Sequence, residues 1–143
     1  MLSGEFKHVA DEKFRLRLPP KFKKELGSGY VVTRGNDGCL FVFSHEQLEA
    51  LLNKTSSIPM FSSNLQQPLR LLYSSAYEVA EDNQGRFLLP QSLRDAAAIK
   101  KEVYFVGVGT RAEIWSAERW EEYKKQGSVN FDDIVEELGK YGI

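Results

Sequence analysis

Apolar and polar positions alternate in short bursts along this chain, and the bursts come round twice. Residues 4–9 read as a strand running into a turn at Asp11 to Lys13, since an Asp side chain readily accepts backbone amides two residues on. Phe14-Arg15-Leu16-Arg17-Leu18 has the two-residue period of a half-buried strand. Phe14, Leu16 and Leu18 are expected in the core, with Arg15 and Arg17 together on the other face. Pro19 and Pro20 end that strand and open a helix carrying Phe22 and Leu26, which Gly27-Ser28-Gly29 stops. Tyr30 to Thr33 and Cys39 to Phe43 form a strand pair around the turn signal Gly35-Asn36-Asp37-Gly38. Ser44, with Gln47 three residues on, caps a helix over His45 to Asn53. A linker over Thr55 to Pro59 leads to a helix over Asn64 to Tyr73, with Leu65, Leu69 and Leu72 expected to face inward.

The pattern then restarts. Tyr77 and Val79 precede a turn at Asp82, and Phe87 and Leu89 alternate after it. Gln91 to Ala98 reads as a short helix, and Val103 to Val106 and Glu113 to Trp115 as paired strands. Ser116 caps a helix reaching Lys125, with Trp120 and Tyr123 inward and Gly127 as its stop. Asn130 opens a last helix with Phe131, Ile134, Val135 and Leu138 at helical spacing.

Two copies of one motif anchor this recurrence. Asp11, Arg15 and Pro19 reappear 71 residues later as Asp82, Arg86 and Pro90, each time as Asp-x-x-x-Arg, apolar-x-apolar-Pro. Downstream, Gly35, Val42 and Ser44 match Gly107, Ile114 and Ser116 at 72 residues, which one inserted residue explains. The chain is a duplicated half-domain.

At 143 residues it fits one compact domain, or two small halves sharing a core. No apolar run reaches the ~18 residues of a membrane span. Met1 to Glu5 has neither the basic nor the apolar region of a secretory signal, so none is expected. One cysteine, Cys39, excludes an internal disulfide framework and suits a reducing cytosol. The net charge is −1 but unevenly spread. Residues 1–34 hold eight Lys and Arg against four Asp and Glu, and residues 112–143 hold four against eight. A basic front and an acidic tail allow one face to meet an anion while another faces away.

The motif residues themselves leave two readings. Arg presents a planar fork that reads guanine edges or clamps phosphate. Asp four residues earlier fixes the turn or orients that fork. Equally, Asp11–Arg15 and Asp82–Arg86 can be structural ion pairs stitching each turn. His8, His45 and Cys39 lack metal-ligand spacing, and Gly107-Val108-Gly109 lacks the lysine of a phosphate loop, so no metal, cofactor or catalytic residue is expected.

The doubled Asp-x-x-x-Arg, together with Thr33 to Val42 and Glu113-Ile114-Trp115, resembles the MraZ family over essentially the whole chain. These are bacterial transcriptional regulators of the AbrB/MazE-like swapped-hairpin class. The resemblance implies a mainly β fold with peripheral α-helices: a double-split (swapped-hairpin) β-barrel of two AbrB-like halves. The halves would be residues 1–53 and 76–126, with a linker and helix over 54–75 and an acidic C-terminal helix over 127–143. It implies a cytoplasmic, nucleoid-associated ring homo-oligomer, an octamer, binding tandem promoter repeats in double-stranded DNA upstream of the division and cell wall gene cluster. Arg15 and Arg86 then contact DNA, joined by Arg17, Lys13, Lys21, Lys23 and Lys24, with Asp11, Asp82 and Gly85 fixing the turns. The rival reading is an AbrB-fold antitoxin-like protein whose main partner is another protein, against which the helical C-terminal pattern counts. The family has Gly before the motif Arg. Gly85 keeps it, but Phe14 replaces it in the first copy, so the first turn is expected to differ in shape.

Overall fold

The computed structural model describes residues 1–143. Eight strands and six helices follow the order β1 (Glu5–Val9), β2 (Arg15–Arg17), α1 (Pro20–Leu26), β3 (Val31–Arg34), β4 (Leu40–Phe43), α2 (His45–Thr55), α3 (Ser63–Ser74), β5 (Tyr77–Glu78), β6 (Arg86–Leu88), α4 (Gln91–Ala96), β7 (Glu102–Gly107), β8 (Ala112–Ser116), α5 (Ala117–Val129) and α6 (Phe131–Gly139). Helices hold more residues than strands, so the class is mixed α/β rather than mainly β.

Six strands form one antiparallel sheet in the order β1-β7-β8-β4-β3-β5, and β2 pairs with β6 in a separate ribbon. The order interleaves the halves. β1 of the first half lies on β7 of the second, and β5 of the second lies on β3 of the first. The central pair β4–β8 also joins the halves. The N-terminal segment crosses the end of β7, where Gly107 donates to the Gly4 carbonyl at 2.9 Å. A side chain at Gly107 would collide with the backbone of Leu2 and Ser3, so this crossing requires glycine.

One core results. Leu16, Phe22, Tyr30 and Leu40 from the first half and Phe87, Leu93, Phe105 and Ile114 from the second belong to a single buried cluster. Burying a side chain of this size contributes about 1.5–3 kcal/mol, so each half depends on the other for most of its stabilisation. Trp115, Cys39 and Val106 make a smaller cluster, with Trp120 packed on its edge. Burial pushes the Cys39 thiol up to about 12, which makes it unreactive.

Three expectations from the pattern are corrected. Leu65 on α3 is exposed and Leu69 and Leu72 are only half-buried, so no side chain of this helix enters the core. Tyr123 is half exposed, stacked outside Trp115 and Trp120. Gly127 does not stop α5, which runs on to Val129. A glycine inside a helix costs only about 1 kcal/mol, and the flanking residues outweigh it.

Because the sheet alternates between halves, residues 1–74 alone should not fold. Circular dichroism of that fragment should show no cooperative melt. A cooperative transition at the full chain's melting temperature would contradict the shared core.

Candidate nucleic-acid interface

The motif copies meet on the β2–β6 ribbon. Its register pairs Arg15 with Leu88, Leu16 with Phe87 and Arg17 with Arg86. This register is symmetric about Leu16–Phe87, so a local pseudo-two-fold relates the copies. Alternation along each strand sends Leu16 and Phe87 into the core and leaves Arg15, Arg17, Arg86 and Leu88 on the opposite face.

Each strand is entered through a turn built on its Asp. The Asp11 Oδ1 accepts the amides of Lys13 and Arg15, both at 2.9 Å. The Asp82 Oδ1 accepts those of Gln84 and Arg86, also at 2.9 Å. Backbone bonds close both turns alike: Asp11 to the Arg15 carbonyl at 3.1 Å, Asp82 to the Arg86 carbonyl at 2.8 Å. Phe14 takes φ 60° where Gly85 takes φ 74°. The expected difference in shape is therefore absent, and the first turn holds the left-handed conformation without a glycine. That conformation costs an L-residue roughly 1–2 kcal/mol. Contacts on the Phe14 ring offset part of it: the Arg94 guanidinium lies 4.8 Å and the Lys101 ammonium 5.9 Å from its centre.

The arginines are held by the same carboxylates. Arg15 Nε donates to Asp11 Oδ2 at 2.7 Å, and Arg86 Nε to Asp82 Oδ2 at 2.9 Å. Each guanidinium also reaches across the ribbon: Arg15 Nη1 lies 3.6 Å from Asp82 Oδ2, and Arg86 Nη1 lies 3.7 Å from Asp11 Oδ2. The ion pairs of the structural reading are thus present, and they are doubled across the pseudo-dyad. Only the Nε hydrogens are committed to hydrogen bonds, so the Nη groups of both arginines remain as donors.

The remaining cations differ in availability. Arg17 and Lys13 are exposed without an ion pair, and the Arg17 amide donates to His8 Nε2 at 3.2 Å. That bond needs the neutral imidazole, and burial, then the Arg17 charge, lower the His8 pKa. On α1, Lys24 is exposed and Lys21 bonds Ser3 Oγ at 3.1 Å. Lys23 is instead paired with Glu81, which also accepts the Tyr30 hydroxyl at 2.9 Å. This pairing of positions 58 residues apart is invisible to motif spacing. Arg94 and Lys101 were also missed, because only the folded chain brings them to the first turn.

The sequence profile of a family described as "MraZ protein, putative antitoxin-like" matches the chain twice, over residues 1–69 and 72–140. The chain belongs to the MraZ family. The two matches start 71 residues apart, the spacing of the motif copies. Among relatives named "Transcriptional regulator MraZ", that of Caldanaerobacter subterraneus subsp. tengcongensis is 42% identical over 143 residues, all of both chains. That of Ligilactobacillus salivarius is 44% identical over 138 residues, 96% of each chain. That of Alkaliphilus oremlandii is 38% identical over 143 residues, again all of both. These MraZ relatives bear the name of regulators, not of enzymes.

Two predictions concern the turns. The Arg15 backbone amide chiefly holds the Asp11 carboxyl below its ordinary range, as the Arg86 amide does for Asp82. A lowered folded pKa means that the stabilisation is complete above the ordinary Asp value of about 3.9 and is lost as pH falls through the lowered values. In an NMR titration the Arg15 and Arg86 amide resonances should move with the two carboxyl carbons, below that ordinary value. Movement centred above it would contradict the assigned bonds. Gly85→Ala should cost about 1 kcal/mol in urea denaturation. A Cβ there meets no atom within 4 Å, so the cost is conformational only. An unchanged midpoint would mean the second turn does not need its left-handed residue.

Proposed function

We propose that the chain is a sequence-specific DNA-binding transcriptional regulator. What carries this reading is the outer face of the β2–β6 ribbon, where Arg15, Arg17 and Arg86 stand together and two of them are aimed by fixed carboxylates. A two-stranded ribbon fits the major groove, where an Arg fork reads guanine bidentately. Lys13, Lys21 and Lys24 would position the backbone without specifying sequence. Lys23, its charge already met by Glu81, leaves this set.

The same reading closes the two sheets into a double-split barrel and the chains into a ring, an octamer, on tandem repeats upstream of the division and cell wall genes. Unpartnered apolar side chains support self-association: Phe61, Leu65, Leu71 and Tyr73 around α3, and Phe131, Ile134, Val135 and Leu138 on α6 are all exposed. No helix is long and apolar enough to cross a membrane. A cytoplasmic, nucleoid-associated setting follows from the proposed DNA partner. The C-terminal segment is helical in α6, which fits a regulator better than an antitoxin with a tail that folds on its target.

Multivalency is required on energetic grounds. Two good base contacts provide on the order of 2–6 kcal/mol of discrimination, and a net charge of −1 adds little attraction. Joined subunits can add roughly 100- to 10,000-fold. Gel shifts with one, two and three copies of the upstream repeat should show affinity climbing with copy number and falling when half a helical turn is inserted. Arg15→Ala and Arg86→Ala should each lose about 1–3 kcal/mol of specific binding and keep the assembly on a sizing column. Variants that fall apart while the remaining folded protein still binds would assign the arginines to structure alone. Equal affinity for one and three copies, with a monomer on the column, would refute the ring.

A further inference from the structure

The two motif turns share a backbone, yet their surroundings carry different charge. Lys23 on α1 and Arg94 on α4 occupy matching places, 71 residues apart. The interleaved fold sends each to the other half's turn: Lys23 to Glu81 beside the second, Arg94 to Phe14 on the first. At the second turn Glu81 neutralises Lys23. At the 71-residue spacing of the copies, Glu81 holds the place of Ala10 in the first. The first turn has no such carboxylate.

The first turn gathers two further cations instead. The Ala10 amide donates to the Lys101 carbonyl at 2.7 Å, which fixes Lys101 beside the turn. Neither Lys101 nor Arg94 makes an ion pair; Arg94 Nη2 bonds Gln91 Oε1 at 2.6 Å, and its Nε is buried without an acceptor. Nearby carboxylates are engaged elsewhere: Asp11 with the turn and Arg15, Asp95 with Gln91. Glu12 is the remaining acid on the turn. The face of the Phe14 ring, negative by its quadrupole, holds together two cations that would otherwise repel. Gly85 offers the second turn no ring. A pair of uncompensated cations beside Lys13 is an anion seat, and on duplex DNA the anion is a backbone phosphate.

We propose that the two turns are unequal on DNA: the first grips backbone phosphate through Arg94 and Lys101, and the second does not. This rests on the DNA-binding reading above and deepens it. The test measures fluorescence anisotropy of the full-length protein on the upstream tandem-repeat duplex and on a random duplex of equal length, across a salt series. Arg94→Gln and Lys101→Gln should each weaken both duplexes several-fold and reduce the salt slope by about 1. The double variant Lys23→Gln/Glu81→Gln, which removes the neutral pair together, should leave slope and affinity unchanged, and Glu81→Gln alone, which frees Lys23, should steepen the slope. Lys101 is exposed, so its variant retains the fold even if Arg94→Gln does not. A Lys101→Gln slope equal to the parent's, or a slope reduction in Lys23→Gln/Glu81→Gln as large as that in Lys101→Gln, would overturn the inference. If the parent binds and Arg15→Ala abolishes specific binding while Lys101→Gln changes nothing, this inference alone fails. If the parent binds neither duplex, the DNA-binding reading fails with it.

Discussion

Four charges crossing one ribbon set the terms for the rest of this molecule. Asp11 and Asp82 each satisfy two turn amides with one oxygen and hold their own arginine with the other, which also faces the arginine across the dyad. The side chains are about a quarter to a third exposed, so water screens these pairs and they contribute little to net stability. Their effect is geometric. They hold two flexible arginines beside each other on a three-residue strand pair that Leu16 and Phe87 pin to the core. The structural and DNA-reading interpretations of the motif are therefore compatible: the pairs use Nε, and the Nη groups remain for a partner.

Interleaving explains why the ribbon can exist at all. Two strands of three residues are too short to be stable alone. Here each belongs to a half whose first strand is paired in the other half's sheet, so the ribbon closes over a core drawn from both. The helices bear on this less. α2, α3 and α6 bury no residue, and α3 and α6 leave apolar side chains exposed.

Local pattern made most of this architecture legible. The repeat, the strand alternation of Leu16 and Leu18, the Ser44 and Ser116 caps and the Gly35–Gly38 hairpin rest on neighbouring residues, and the structure has them all. Three features depend on tertiary contacts and could not be read locally. Phe14 reads as a core strand residue, yet the Asp11 turn holds it in the left-handed conformation, and cations from α4 and the following loop meet its ring. Lys23 reads as one of a run of free lysines, yet Glu81 lies against it from the other half. Leu65, Leu69 and Leu72 have the spacing of a buried stripe, and spacing cannot say whether its cover is in the same chain.

Duplication carries a further constraint that the charge differences resolve. A protomer whose two turns were alike in charge as well as in backbone would meet a DNA repeat equally well in either direction. On the proposed reading the DNA repeats run head to tail, and a ring that tracked them would need each protomer to have a direction. Here the backbone stays symmetric, because the turn amides and the cross-ribbon pairs demand it. The asymmetry sits where it disturbs none of those bonds: in the ring of Phe14, in Glu81 where the other copy has Ala10, and in Arg17 facing the outside where the other copy has Leu88. On the proposed reading, the geometry that the two copies share supplies the shape of the contact, and their differences in charge supply its polarity.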